Sequence, residues 1–325
     1  MSECERPVDS TRECRGTSAA PITYAYLASV EHSGSTLLAC LLGAHPDVSC
    51  VGEFGTDFPL EGNCSCGVKY NKCPFWSDWA SLAAKAGIDF AIGNLGINLV
   101  PRHRPQGGFL EDLYFYQFPW KLVNRLRNAS SRAWPRLHAR AEHAMEKSIR
   151  LAQILCEKES TRVFLDTTKN SLQVRFLAGR PDIRFKLIAL VRDGRGVMSS
   201  LMEKEKWTPE ASVGSWLWGN RNLDRATAQY MKPEDVFRLR LEDFVRDSEG
   251  VRRALFRFLG VQEDAPLDYS RKESRHIVGN RMRHTFTGEI RQEESWKKKL
   301  LPEHLRLFEA RAGWLNRRLG YPEAL

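Results

Sequence analysis

Residues 25–55 read AYLASVEHSGSTLLACLLGAHPDVSCVGEFG, and three patterns follow one another in this stretch. An apolar run ends at Val30. A polar turn follows, Glu31-His32-Ser33-Gly34-Ser35-Thr36, and then Leu37, Leu38, Cys40, Leu41 and Leu42 recur at helical spacing until Gly43 and Pro46 stop them. Strand, tight turn and helix in this order aim backbone N–H groups and the positive end of a helix dipole at one point, where a phosphate is stabilised. Gly34 lacks the Cβ that would hold an anion off the backbone, and Ser35 and Thr36 place hydroxyl donors in the first helical turn. The same residues also suit a simple Ser/Gly cap on a buried helix, so the rest of the chain decides between the two.

The nearest general pattern is the nucleotide-binding loop GxxxxGK[ST]. Gly34-Ser35-Thr36 falls where Gly-Lys-[Ser/Thr] would stand, Ser35 replaces the lysine that reaches the β- and γ-phosphates, and the motif's first glycine would fall on Ser29. A nucleotide without a γ-phosphate therefore suits this turn better than a triphosphate.

The strand-then-helix pattern returns at residue 162. Val163-Phe164-Leu165 reads as a strand, Asp166 to Asn170 as a polar loop at its carboxyl end, and Leu172 to Ala178 as a helix closed by Gly179 and Pro181. Arg184 to Val191 is a further strand, followed by Arg192-Asp193-Gly194-Arg195-Gly196 and a helix carrying Ser199 and Ser200. Such alternation predicts an α/β fold with a central parallel sheet covered by helices, and ligands in such sheets sit outside the carboxyl ends of the strands. The loops at 31–36, 166–170 and 192–200 then share one rim.

Length and composition are consistent with this. The 325 residues are 42% apolar, enough for one large α/β domain or two small ones, and the formal charge of +9 favours anionic partners. No aliphatic run approaches bilayer length and residues 1–20 lack the apolar core of a signal peptide, so the expectation is a cytoplasmic chain with no membrane span. Residues 1–21 read as a loose tail, 22–325 as one domain, and 80–155 as a mainly helical insertion. In the insertion Phe109, Tyr114, Phe115, Tyr116, Phe118 and Trp120 precede Lys121, Arg125 and Arg127, and Glu142 to Cys156 carries Ala144, Ile149, Ala152 and Leu155 on one side. Those aromatics either line an acceptor pocket or fill an ordinary helical core, the second being the commoner use. Trp296, Leu300, Leu305, Phe308, Trp314, Leu315 and Leu319 are expected to pack a C-terminal helical segment back on the sheet.

Of the eight cysteines, Cys64, Cys66 and Cys73 are grouped, and they would hold zinc if a fourth ligand such as Cys50 or His45 folded close. The CxC-then-C spacing is not a standard zinc pattern. Free thiols or a local disulfide in a loop that packs through Pro74-Phe75-Trp76 is the favoured reading. His45, in His-Pro-Asp, reads as a turn-stabilising residue.

Together the loops resemble the sulfotransferase superfamily that uses 3′-phosphoadenosine 5′-phosphosulfate, in particular its tyrosylprotein-sulfotransferase-like and bacterial branches. Ser33-Gly34-Ser35-Thr36-Leu37, with Ala44-His45-Pro46-Asp47 and Gly52-Glu53, looks like that family's 5′-phosphosulfate loop. Val191-Arg192-Asp193-Gly194-Arg195, with Ser200 eight residues beyond Arg192, is similar to its 3′-phosphate site. Lys169 matches a lysine beside the sulfuryl group, Leu239 to Phe244 resembles a strand and turn of the family, and Gly279-Asn280-Arg281 with Arg283 looks like its basic loop that closes over the donor. The segment from Cys66 to Trp76 also recurs in bacterial members. Two positions depart from the pattern: His32 stands where the family has lysine or arginine, and Leu241 where it has tyrosine.

The resemblance implies a P-loop-like fold and sulfuryl transfer to a hydroxyl or amine of a small molecule, lipid or glycan. Ser33, Gly34, Ser35, Thr36, Leu37, Arg192, Ser200, Asn280 and Arg281 would bind the donor. Lys169 and His32 would stabilise the transferring group, and Glu53, unless it is a mere surface or capping carboxylate, would be the base. An anion beside His32 would favour its protonation, so activity would fall as pH rises. No metal is expected at the transfer site, since lysine and arginine can neutralise the donor, and no nucleic-acid partner, because 281–299 mixes Glu289, Glu293 and Glu294 with its lysines and reads as a solvated helix. A P-loop kinase or NTPase and a non-catalytic nucleotide binder are the rival readings.

Overall fold

The computed structural model describes residues 21–99, 114–115, 122–124, 126, 134–269, 276–290 and 294–323. Five strands form one sheet: β1 (Thr23–Ala28), β2 (Val48–Gly52), β3 (Val163–Lys169), β4 (Arg184–Val191) and β5 (Val236–Arg240), in the order β2-β3-β1-β4-β5. Every pairing is parallel. The chain is thus α/β, with a P-loop-like turn leading from the central strand into a helix. β1 is central because its residues suit burial on both faces: Tyr24 through Ala28 are all fully buried. Each large apolar side chain so placed contributes roughly 1.5–3 kcal/mol.

Helices cover both faces. Helix α1 (Ser35–Leu42) follows the turn, α2 (Pro74–Lys85) and α3 (Pro135–Glu159) lie on the other side, and α4 (Val174–Leu177) is a single turn after β3. Helices α5 (Gly194–Lys204) and α6 (Pro209–Tyr230) connect β4 to β5, and α7 (Leu241–Arg246) and α8 (Ser248–Leu259) follow β5. Two short helices, α9 (Met282–Thr285) and α10 (Trp296–Lys299), precede α11 (Pro302–Arg318). No described helix is long and apolar enough to cross a membrane.

Several sequence expectations are corrected. Residues 166–169 belong to β3 and are not a loop, because the Asp166 carboxylate finds its partners within the fold. Asp166 accepts from Tyr24 Oη (2.9 Å), Thr168 N (2.8 Å) and Thr168 Oγ1 (2.5 Å), while burial pushes its carboxyl up to about 6. The expected turn after Leu239-Arg240 is the first turn of α7, which Leu241 begins. The stretch 281–299 contains two four-residue helices among its described residues, not one solvated helix. The C-terminal helix α11 packs on α5 and α6, not on the sheet: Phe308, Ala312 and Leu315 join Val197, Met198, Leu201, Val213 and Trp216, while Trp314 is exposed.

In the expected insertion, Ala144, Ile149, Ala152 and Leu155 are buried on α3 as their spacing predicts, and Tyr114 and Phe115 belong to the core. Phe109, Tyr116, Phe118, Trp120, Lys121, Arg125 and Arg127 lie outside the described residues, as does nearly all of the expected N-terminal tail.

Candidate functional site

The turn after β1 is built by two left-handed residues, His32 (φ 59°) and Gly34 (φ 94°), the latter capping α1. Glycine is favoured at 34 by its φ, which is costly for other residues; a Cβ would also lie 2.7 Å from Leu241 Cδ1 and push that side chain aside. Leu241, one of the two departures from the family pattern, is therefore the apolar back wall of the glycine. Ser33, Ser35 and Thr36 are buried. Among the described residues, Ser29 Oγ and Ser33 Oγ are buried hydroxyls with no hydrogen-bond partner. Native structures rarely leave such groups unpaired.

Arg192 leaves the end of β4 and is only 8% exposed. Its Nη1 donates to the His32 carbonyl (2.8 Å), which ties it to the turn, and lies 3.4 Å from Ser200 Oγ. The guanidinium passes over the first turn of α5, where a Cβ on Gly196 would come within 3.1 Å of Nε. Arg192 and Ser200, paired by the family resemblance, thus lie side by side.

Asp193 and Arg195 play a different part from Arg192. Asp193 caps α5, accepting from Arg195 N (3.0 Å), and binds the Arg195 guanidinium in a fork (2.9 and 2.6 Å). That guanidinium lies 4.5 Å from the Trp296 ring centroid, so the Arg-Asp-Gly-Arg turn anchors the chain before α11. Sequence spacing gives no sign of this contact.

Glu53 directly follows β2, and Lys169 ends β3. Lys169 Nζ donates to Glu53 Oε1 at 2.5 Å, and both side chains are 10% exposed. Register shifts place them together: β1 and β3 slip between Tyr26 and Ala28, β2 and β3 between Cys50 and Gly52, and Lys169 takes φ 73°. A non-glycine residue held there carries strain of order 1–3 kcal/mol, which marks a position the surrounding structure over-determines. The pair is neutral as a whole, which keeps either charge from being a lone charge in a desolvated place.

The segment 276–283 crosses this site. Val278 bridges Gly52 in parallel, its N–H donating to Val51 O (2.7 Å) and its carbonyl accepting from Glu53 N (2.9 Å). Gly279 then passes the α1 start, where a Cβ would sit 3.1 Å from Thr36 Oγ1. Asn280 accepts from Met282 N (2.9 Å) and lines an open cavity of about 670 Å³ together with His32, Gly34, Leu37 and Arg192. Arg281 is exposed and is not part of that wall. Arg283 turns back on the chain, donating to the Gly279 and Asn280 carbonyls and to Asn63 O (3.2 Å). Arg195, Lys204, Arg240 and Lys297 also line the cavity, from three separate stretches of sequence, together with the acidic Asp193, Glu242, Glu294 and Glu323.

His32 Nε2 lies 3.3 Å from Glu205 Oε1. Its proton affinity is nevertheless held below the ordinary value, first by burial and then by Lys204, against the opposite pull of Glu205 and Glu31. The imidazole is therefore poorly disposed to carry charge.

His45 holds a turn, as its sequence suggests: Nδ1 accepts from Asp47 N (3.0 Å) and Nε2 donates to the Gln262 carbonyl (2.9 Å). Cys64, Cys66 and Cys73 form no disulfide, and neither Cys50 nor His45 joins them; the residue that does is His276, which no motif in the sequence marks.

No family model and no curated protein matches this sequence. Among solved structures, the chain is similar to the sulfotransferase domain of the Synechococcus PCC 7002 olefin synthase, with 18% identity, 89% of this chain and 94% of that one covered, and a TM-score of 0.48. It is also similar to the sulfotransferase domain of the curacin biosynthetic pathway (15% identity, 94% and 99% covered, TM-score 0.47). A third likeness is to a sulfotransferase from Mycobacterium avium (13% identity, 94% and 79% covered, TM-score 0.47).

Proposed function

We propose that this chain is a sulfotransferase that moves the sulfuryl group of 3′-phosphoadenosine 5′-phosphosulfate to a hydroxyl or amine of a small molecule, lipid or glycan. The observation that carries this reading is the buried Arg192, reaching toward Ser200 while bonded to the carbonyl of His32. It gives one rim two anion positions, the α1 start with Ser33 to Leu37 and the Arg192–Ser200 pair, which suits a donor with phosphates at both ends of its ribose. Ser35 in place of the P-loop lysine argues against a triphosphate.

The chemistry this site supports is an in-line displacement at sulfur, in which negative charge grows on the departing 5′-phosphate. Backbone N–H groups of residues 34–36, Lys169 and His32 are the donors available to that charge. Lys169 already has Glu53 as partner. A bound donor gives its ammonium a second one, and Glu53, beside it, is the carboxylate proposed to take the acceptor's proton. Arg281 is exposed and stands outside the cavity wall in this structure.

Calorimetric titration with 3′-phosphoadenosine 5′-phosphate, using ADP as competitor, tests the reading. Tight binding that ADP does not displace is expected. Equal binding of ADP, or stabilisation by ATP and magnesium alone, would move the assignment to a kinase or NTPase.

The histidine in the phosphate turn adds a pH signature. Burial keeps His32 neutral when the site is free, and an anion beside it raises its proton affinity, so binding takes up a proton. Affinity should then fall as pH rises, over a window that starts below the ordinary histidine value and ends at the value in the complex. His32→Lys should flatten this dependence, and an equally steep profile in that variant would remove His32 from the donor site.

A further inference from the structure

We propose that Cys64, Cys66, Cys73 and His276 bind one zinc ion, which fastens the segment entering the candidate site to the cysteine-rich turn. Three of the ligands come from ten consecutive residues. The fourth lies 203 positions beyond Cys73, on the segment that continues into Gly279 and Asn280.

Three of the six ligand–ligand distances are close to the edges of a tetrahedral site. The four ligand atoms all lie within 4.8 Å of one another. Cys66 Sγ is 3.7 Å from Cys73 Sγ, and His276 Nδ1 is 3.3 Å from Cys64 Sγ and 3.4 Å from Cys73 Sγ. Zinc bonds to sulfur and nitrogen require edges of about 3.8 Å between two sulfurs and about 3.5 Å between sulfur and nitrogen. A disulfide would need a sulfur–sulfur distance of about 2.0 Å. Three soft thiolates and an imidazole select zinc over the hard cations, and four protein ligands leave no position for water, which makes the ion structural.

The surroundings are arranged for thiolates and for one ring orientation. Cys64 and Cys73 are fully buried and His276 is 8% exposed. The backbone N–H of Cys66 is directed at Cys64 Sγ and that of Trp76 at Cys73 Sγ. Cys73 also caps α2, where the helix dipole favours negative charge. The imidazole of His276 stacks on Phe75 with centroids 4.0 Å apart and planes 8° from parallel. Ser65, between two of the ligands, accepts from the N–H of Ile277 (2.8 Å), so the same turn holds both the ligand and the residue after it.

The position gives the ion a consequence for the candidate site. From His276 the chain runs directly to Val278, whose carbonyl holds Glu53 N, and to Gly279 over Thr36. Zinc thereby closes a loop of more than two hundred residues at one point. Removing it frees the strand-like crossing that backs Glu53.

The test is metal content of the full chain purified without added metal. One zinc per chain, retained through dialysis against EDTA, is expected, and cobalt replacement should give the visible bands of a tetrahedral thiolate site. Cys66→Ser and His276→Ala should lose the metal, while Cys50→Ala keeps it. His276→Cys should retain zinc with an altered cobalt spectrum, which separates loss of a ligand from loss of the fold. Folded wild-type protein without stoichiometric zinc, a Cys66–Cys73 disulfide found by mass spectrometry, or full zinc content in His276→Ala would each overturn the proposal. These readouts do not depend on sulfuryl transfer, so a failed donor titration leaves the zinc result interpretable.

Discussion

Arg192→Ala is expected to weaken binding of 3′-phosphoadenosine 5′-phosphate by about a hundredfold or more while leaving ADP binding nearly unchanged. The side chain is 8% exposed, bonded to the His32 carbonyl and close to Ser200 Oγ, so its charge is presented to a phosphate in a desolvated place. Hydrogen bonds to a charged group contribute about 1.5–3 kcal/mol each, and losing about 3 kcal/mol corresponds to a little over a hundredfold in affinity. The fold has a separate attachment here: Trp216 Nε1 donates to the Arg192 backbone carbonyl (3.1 Å), which the substitution keeps. Arg192→Lys should fall between wild type and alanine, since an ammonium keeps the charge but cannot form the two-pronged contact. Ser200→Ala should cost only a few-fold, as one neutral hydroxyl contributes about 1 kcal/mol. Calorimetry on the four proteins reads the series, and an Arg192→Ala protein that binds normally would place the 3′-phosphate elsewhere.

The parts of this site that were legible in sequence are those where local pattern and tertiary role coincide. The Gly34 turn announces itself through an apolar run before it and a helical run after it, and β4 from Arg184 to Val191 stands at the limits its composition suggests. Polarity misled at β3. Asp166 to Lys169 looks like a loop because the partners of Asp166 include Tyr24, 142 positions earlier, and no local rule sees a hydrogen bond of that range. The same holds for His276, whose partners are 203 and 212 positions away in sequence, and for the fit of Arg195 to Trp296. The placement of α11 was misjudged for a related reason: its apolar stripe is legible, but which surface it covers is set by α5 and α6, whose exposed crest needs an apolar cover.

Glu53→Gln decides what the Glu53–Lys169 ion pair of the candidate site does. If Glu53 takes the acceptor's proton, the substitution should lower turnover by about 10²- to 10⁴-fold, the range general-base catalysis covers, with donor binding altered only a few-fold. Turnover can be followed as release of 3′-phosphoadenosine 5′-phosphate from the sulfated donor, with simple phenols or alcohols as acceptors and water as the minimum. If instead Glu53 only aims Lys169, glutamine keeps an oxygen for the ammonium at a similar distance, and turnover should stay near wild type. A purely structural role is already covered by the main chain, because Glu53 N is held by the Val278 carbonyl whatever the side chain. The converse variant, Lys169→Ala, is less informative by itself: it leaves a carboxylate that is 8% exposed without its cation, and breaking such a pair costs about 3–5 kcal/mol of stability. The double variant Glu53→Gln/Lys169→Met leaves no charge unpaired, so it is compared with Glu53→Gln, in which the ammonium keeps only a neutral amide oxygen. A further large drop in turnover in the double variant assigns Lys169 to the charge on the sulfuryl group, and no further drop confines the ammonium to holding Glu53 in place.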